Sequence, residues 1–376
     1  MMKKCAILVL TFIFIVLSAG FQVCSAQDTS AKAAVVMDVN SGRVLYSKNC
    51  HQKMAMASTT KIMTTLVAIE SGRLNETVKV SKKASTVEGS SIYLKEGEKL
   101  TVEELLYGIM LRSGNDAATA VAEHIGGSVE GFVAMMNKKA KEIGAVDTHF
   151  ANPHGLDADG HYTTAYDLAL ITSYALKNPK FAQIVSTKKK SIKGPEDQNW
   201  DRALVNKNKM LWNFEGGDGV KTGYTGNAGR CLVSSATRNN WHLVTVVLNC
   251  SPMWEESAAL LEYGFRTYSN QTLIEKDQVY ESLPVKNSRS KYVNIRTDSS
   301  FCIPLKDGEK EKIKIVPVLE AKLEAPIVQG TEAGHLDVYL EDVKLGSVKL
   351  LFCQNIEPNN PMFYFKKIFS NLNVFF

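Results

Sequence analysis

The sequence predicts an α/β protein of the α+β kind: an antiparallel sheet covered by a cluster of helices, followed by a small all-β domain. Three observations predict it. Strand-like runs near Ala33 and again from Val220 to Leu248 bracket a long stretch with helical spacing. That stretch carries its own start and stop signals. After about Ser269, short strand-like segments alternate with charged and Gly-rich turns, and the helical period disappears.

The elements follow in order. Lys3 and Lys4, the apolar run Ala6 to Leu17 broken only by Thr11, and the small residues Cys24-Ser25-Ala26 read as a secretory signal over residues 1–26. The run is short for a membrane span. Ala33 to Asp38, a turn at Asn40-Ser41-Gly42 and Arg43 to Tyr46 form a predicted hairpin. Ile62, Leu66, Val67 and Ile69 continue from Ser58 at helical spacing, and Gly72 can end that helix. Thr101-Val102-Glu103-Glu104 is a capping box that opens a second helix through Met110 and Leu111. Further helices are expected over Asp116 to Ile125, Glu130 to Ile143, Thr164 to Leu176 and Glu255 to Phe265. Val220 to Tyr224, Cys231 to Thr237 and Trp241 to Leu248 read as strands, with Arg238-Asn239-Asn240 as a turn. The expected divisions are a domain over 27–268, a β-rich domain over 269–356 and a tail over 357–376.

The tail opens at Asn359-Asn360-Pro361, a good helix start. Met362, Phe365, Phe369, Leu372 and Phe376 fall on one face of the resulting helix, with Lys366, Ser370 and Asn373 on the other. It is too short and too charged to span a bilayer, and reads as an amphipathic helix lying in the membrane surface or docked on the β-rich domain.

Charge and cysteine content narrow the class. The formal net charge of +5 falls to +3 without Lys3 and Lys4. Arginine-rich patches with interleaved aromatics are missing, which argues against nucleic acid. A mildly basic exported protein suits an anionic wall or membrane surface. Cys50, Cys231, Cys250, Cys302 and Cys353 remain after cleavage, an odd set without metal-ligand spacing. The histidines form no HExxH cluster, so neither metal nor cofactor is expected.

Three short motifs carry the chemistry. Ser58 and Lys61, three residues apart, share one helix face, so an amine sits beside a hydroxyl near the positive end of a helix. Burial near other cations would lower the lysine's pKa toward that of a base. Ser186 with Lys189 and Ser288 with Lys291 have the same spacing, but only Ser58 precedes a long apolar helix. Ser113-Gly114-Asn115 lies between two helices, where a loop presents a hydroxyl and an amide to a cleft. Lys221-Thr222-Gly223 on a strand offers a point charge and a hydroxyl to a carboxylate, and leaves room for an extended substrate. Together these groups suit attack on an amide next to a terminal carboxylate through an acyl-enzyme.

In this order the motifs resemble those of the serine acyl-transferases that include penicillin-binding proteins and serine β-lactamases. Gly219 to Thr225, His154-Gly155-Leu156-Asp157 with Tyr162-Thr163-Thr164-Ala165, and Gly264-Phe265-Arg266 resemble one branch closely. That branch is the low-molecular-mass D-alanyl-D-alanine carboxypeptidases of the penicillin-binding protein 5 type. The resemblance runs from about Ala33 to the C-terminus and is densest between Ala55 and Phe265.

It implies a β-lactamase/transpeptidase-like fold, with the peptidoglycan stem peptide as substrate and β-lactam antibiotics as covalent inhibitors. It implies Ser58 as the acylated nucleophile, Lys61 as the base, Ser113 as a proton relay and Asn115 as an orienting amide. Lys221 and Thr222 would hold the terminal carboxylate, and the N–H groups of Ser58 and Tyr224 would form the oxyanion hole. Gly223 would let the substrate lie against the strand. Lys207 falls where relatives often have arginine. A second family arginine is missing: Ser251-Pro252-Met253-Trp254 stands where it is expected. The resemblance also implies a membrane-surface helix at the C-terminus and action outside the cytoplasmic membrane. The competing readings are a β-lactamase and a non-catalytic, penicillin-sensing wall protein. The first lacks a glutamate-plus-asparagine deacylation loop between Asn115 and Lys221, and the second leaves a full set of reacting groups unexplained.

Overall fold

The structure is a computed structural model that describes residues 28–195, 199–319 and 322–363. The expected secretory segment and most of the C-terminal tail lie outside the described residues.

The first sheet has five strands: β1 (Ala33–Asp38), β2 (Val44–Lys48), β3 (Gly217–Thr225), β4 (Gly229–Arg238) and β5 (Trp241–Leu248). Their order is β2-β1-β5-β4-β3, with every neighbour antiparallel. Asn239 and Asn240 both take positive φ in the β4–β5 turn, the geometry that asparagine tolerates in tight hairpins. Strand β1 is buried along its whole length. Ala33, Val35 and Met37 join the core under the helical cluster, while Ala34 and Val36 join a second core on the opposite face. A period of two thus distributes one apolar run between two layers.

The helical layer contains α1 (Lys61–Glu70), α2 (Val102–Tyr107), α3 (Asn115–Gly126), α4 (Val129–Ile143), α5 (Ala165–Leu176) and α6 (Pro179–Ser186). Helix α7 (Met253–Thr267) covers the other face of the sheet against β4 and β5. Residues Lys61 to Ile69 of α1 are all buried, which makes it the central helix of the cluster. The capping box at Thr101 is present, with Glu104 accepting from the Thr101 N–H. Two details differ from the sequence reading. The α-helix opened by that box stops at Tyr107 and passes into a π-helical turn, Gly108–Arg112, that ends at Ser113. Ser58 lies in a 3₁₀ turn, Ala57–Thr60, just ahead of α1. Helix α6 is an addition: Asn178 caps it and Pro179 takes its first turn.

Beyond Tyr268 the described chain is β-rich. The strands are β6 (Ser269–Ile274), β7 (Val279–Lys286), β8 (Tyr292–Thr297), β9 (Phe301–Leu305), β10 (Ile313–Leu319), β11 (Leu323–Glu324), β12 (Glu332–Leu340) and β13 (Val343–Phe352). Six of them form a sheet in the order β10-β12-β13-β8-β7-β11, and β6 pairs with β9. At the joint with the first sheet, Arg43 binds Glu309 at 2.8 Å and the Pro304 carbonyl. Tyr268 donates to the Leu45 carbonyl at 2.8 Å, and its ring has Lys306 at 5.0 Å and Arg43 at 5.6 Å.

Candidate active site

The site forms where the Ala57–Thr60 turn meets strand β3 on one side and the π-turn before α3 on the other. Ala57 holds a positive φ of 48°, and Thr60 Oγ1 donates to the Ala57 carbonyl at 2.8 Å. His161 locks this turn. Its Nδ1 accepts the Ala151 N–H at 2.9 Å, so Nε2 carries the proton and donates to Thr60 Oγ1 at 2.8 Å. Burial pushes the His161 imidazole down to about 4, which keeps it neutral at physiological pH.

Two glycines press on the same turn. A Cβ on Gly155, whose φ is +89°, would fall 1.9 Å from the Ala57 carbonyl oxygen. A Cβ on Gly223 would lie 3.1 Å from each of Ala57 Cβ, the Met56 carbonyl and the Ser58 nitrogen. Glycine at these positions lets strand β3 and the His154-to-Asp157 segment close on the Ala57–Thr60 turn.

Ser58 is half-buried, and Lys61 is fully buried. Lys61 Nζ lies 3.0 Å from Ser58 Oγ and 2.7 Å from Asn115 Oδ1, and donates to the His154 carbonyl. Asn115 is fixed in turn by its Nδ2 donating to the Glu88 carbonyl at 2.7 Å. Burial, and then repulsion from Lys221 and Lys207, hold the Lys61 amine well below its ordinary range, and Asp116 works against them. Such an amine gives up its proton more readily than an exposed lysine and so can accept one from a hydroxyl. Ser113 is buried at the left-handed end of the π-turn, and its hydroxyl has no protein partner among the described residues.

Lys221 is buried, with Nζ donating to the Thr222 carbonyl at 2.9 Å. Burial and the neighbouring Lys207 bring its amine down to about 7. Lys207 is itself lowered by burial and by Arg112. Its N–H donates to the Leu111 carbonyl, which brings Lys207 next to the Ser113 turn. Thr222 is half-buried and Tyr224 is 67% exposed at the mouth.

Of the residues predicted from sequence, the structure brings Ser58, Lys61 and Asn115 into direct contact, sets Gly223 against the Ser58 turn, and places the Lys221 and Lys207 charges near Lys61, while Ser186 ends α6 and Ser288 lies past β7. Sequence reasoning missed three supports. Asp116 is 1% exposed and accepts from Ser91 Oγ at 2.6 Å and from the N–H groups of Ile92 and Leu94. It holds the 88–94 loop that fixes Asn115. Arg202 and Glu98, 5% and 2% exposed, form a bidentate pair at 2.5 and 2.8 Å that clamps the same loop. His161 is the third. The local signal for Asp116 is its place directly after Asn115 at a helix start. His161 and the Arg202–Glu98 pair have no local signal.

Comparison with known proteins identifies the family. A family model described as D-alanyl-D-alanine carboxypeptidase matches residues 21–251, and one described as penicillin-binding protein 5, C-terminal domain, matches residues 268–358. Among curated relatives, DacF of Bacillus subtilis, a D-alanyl-D-alanine carboxypeptidase, is 39% identical over 81% of this chain and 80% of its own length. DacC of Escherichia coli, of the same description, is 32% identical over 92% of this chain and 90% of its own. Among solved structures, penicillin binding protein 5 of Haemophilus influenzae superposes with a TM-score of 0.75 at 29% identity, covering 89% of this chain and 99% of that one.

Proposed function

The chain belongs to the D-alanyl-D-alanine carboxypeptidase family, and we propose that it removes the terminal D-alanine from peptidoglycan stem pentapeptides through an acyl-enzyme on Ser58. The observation that carries this reading is the buried Lys61 amine, 3.0 Å from Ser58 Oγ and 2.7 Å from Asn115 Oδ1.

In this reading Lys61 takes the Ser58 proton as Oγ attacks the carbonyl carbon of the scissile amide. Negative charge grows on the carbonyl oxygen, opposite the N–H groups of Ser58 and Tyr224. The proton then passes through the Ser113 hydroxyl to the leaving amine, the C–N bond breaks and D-alanine departs. Water attacks the ester by the reverse path, releasing the shortened peptide and restoring Ser58. Asn115 holds Lys61 and the substrate backbone. Lys221, Thr222 and Lys207 receive the terminal carboxylate, and Gly223 gives the substrate room along β3. Penicillin enters as a carboxylate-bearing acyl donor and leaves Ser58 acylated.

The decisive experiment is release of free D-alanine from a pentapeptide ending in D-Ala-D-Ala. Ser58→Ala should abolish both that release and covalent labelling by penicillin, and Ser186→Ala and Ser288→Ala should change neither. Labelling of a folded Ser58→Ala protein would remove the assignment.

The rest of the reading concerns place. Residues 1–26 act as an export signal, 27–268 as the catalytic unit, 269–356 as a β-rich domain, and 357–376 as an amphipathic helix on the outer face of the cytoplasmic membrane. In support, Asn360 Oδ1 accepts the Met362 N–H at 2.9 Å at the start of a helical turn. Phe365, Phe369, Leu372 and Phe376 lie outside the described residues. Among the described residues no helix is long and apolar enough to cross a membrane. A chain ending at Glu357 should keep peptidase activity while the full chain sediments with membranes; equal partitioning would favour a tail docked on the β-rich domain.

A further inference from the structure

The His154-to-Asp157 segment touches three parts of the site at once. The His154 carbonyl accepts from Lys61 Nζ. Gly155 packs on the Ala57–Thr60 turn, where a Cβ would lie 2.9 Å from the Ser58 nitrogen. Asp157 Oδ1 accepts from Thr225 Oγ1 at 2.8 Å, the only hydrogen bond between this segment and β3 among the described residues. Asn152 holds the segment in shape: its Oδ1 accepts the Gly155 N–H at 2.7 Å, and its Nδ2 donates to the Leu156 carbonyl at 2.9 Å.

Strand β3 reaches the same Ser58 nitrogen from a different element. It is an edge strand, with β4 as its one neighbour in the sheet. Gly223 closes on the turn without a side chain, so it permits the approach but supplies no side-chain bond to hold it. Strand β3 ends at Thr225, whose Oγ1 also accepts the Ala228 N–H at 3.0 Å. Tyr224 thus lies between Gly223, packed on the turn, and Thr225, tied to Asp157. The end of a strand with one neighbour opens easily. Asp157 gives this end a second attachment, and the segment, the turn and β3 form a closed ring around Ser58.

We propose that Asp157 is a positioning residue for acyl transfer: its hydrogen bond to Thr225 sets the gap between the end of β3 and the Ala57–Thr60 turn, and with it the placement of the Tyr224 N–H relative to that of Ser58. The proposal rests on the carboxypeptidase reading, in which those two N–H groups face the growing negative charge. Such donors act at a defined distance from the oxyanion, and a misplacement of about 1 Å costs up to roughly 100-fold in rate. Asp157 acts through Thr225.

The test follows acylation of the full chain by benzylpenicillin and separates the rate at saturation from the concentration that half-saturates it. Asp157→Ala should lower the saturating rate roughly 10-fold and move the half-saturating concentration about threefold or less, because the strand end shifts while the carboxylate contacts stay. Asp157→Asn keeps an acceptor oxygen and should stay within about threefold of wild type, on the same argument. Thr225→Val should match Asp157→Ala, Thr225→Ser should match wild type, and the double variant Asp157→Ala/Thr225→Val should be no slower than either single loss. Both positions are at the surface, so thermal melting should stay nearly unchanged. An unaltered saturating rate in Asp157→Ala, an Asp157→Asn as slow as Asp157→Ala, or losses that multiply in the double variant overturn the proposal. If benzylpenicillin does not acylate Ser58 of the wild type, it is the carboxypeptidase reading that fails.

Discussion

Of the charged side chains buried among the described residues, Asp38, Lys61, Glu98, Asp116, Asp167, Arg202 and Lys221 lie before Tyr268, and Asp337 alone lies after it. The β-rich region builds its core from aliphatic pairs such as Val293, Ile295, Val338 and Leu350, and leaves its other ion pairs at the surface. Burying a charge costs free energy unless geometry repays it. The first region therefore carries charges that packing alone does not require. Five of the seven serve the surroundings of Ser58: Lys61 and Lys221 beside it, and Asp116 and the Arg202–Glu98 pair behind the loop that fixes Asn115; Asp38 instead accepts from Trp241 and Asp167 from Asp147 and Thr148. A region shaped only for packing looks like the second one.

The contrast can be broken most forcefully at Arg202. Arg202→Met strands Glu98 in the interior, which predicts a loss of about 3–5 kcal/mol in thermal or urea unfolding. It should also slow penicillin acylation, because the 88–98 loop loses its clamp. Normal acylation in a destabilised variant would show that the loop acts independently of the site. Leu350→Ala is the counterpart in the β-rich region. A fully buried leucine truncated there should cost about 2–4 kcal/mol, while penicillin labelling of Ser58 stays unchanged.

Lys221→Met sharpens the comparison with the opposite sign. The folded protein holds the Lys221 amine near 7, whereas an unfolded lysine titrates near 10.4. Between those values the unfolded chain binds the extra proton, so this group lowers stability most at pH 7 and below, and the loss fades as pH rises toward 10. The variant should therefore melt higher than wild type at pH 6–7, match it near pH 10, and be nearly inactive. A lower melting temperature at pH 6 would mean that Lys221 is well compensated where it lies. The smallest effect is expected at Lys344, half-exposed beside Asp337 at 2.8 Å in the β-rich region. Lys344→Ala should shift stability by about 1 kcal/mol or less, and less still at high salt.

Much of this was legible in the sequence. The hairpin turns, the Thr101 capping box and the period-two run of β1 are local patterns, and they sit where they were expected. Ser58, Lys61, Ser113, Asn115, Lys221, Thr222 and Gly223 stood out as candidates because the three motifs occur in order, each beside an element that positions it, while Tyr224 and Lys207 came from the family resemblance. Helix α6 went unread although Asn178-Pro179 is a fair start signal; its eight residues are too few to establish a period by themselves. The supports were hidden for a different reason. Arg202 and Glu98 are 104 positions apart, and His161 and Thr60 are 101, so nothing in a sequence window joins them. The π-turn before Ser113 was also invisible, since its residues, Gly108 to Arg112, simply continue the apolar helical pattern.

Gly155 and Gly223 enclose the Ala57–Thr60 turn like the jaws of a vice, and that geometry bears on heritable change under antibiotic selection. A lineage exposed to penicillin has little mutational freedom in the turn itself. Any side chain at Gly155 collides with the carbonyl of Ala57, and so displaces the turn that holds Ser58, the proposed nucleophile. Change is tolerated more easily at exposed positions such as Tyr93, 84% exposed on the loop anchored by Asp116. In a saturation library sorted for purified, folded variants that still bind penicillin covalently, changes should accumulate at exposed positions such as Tyr93, with the two jaws left as glycine.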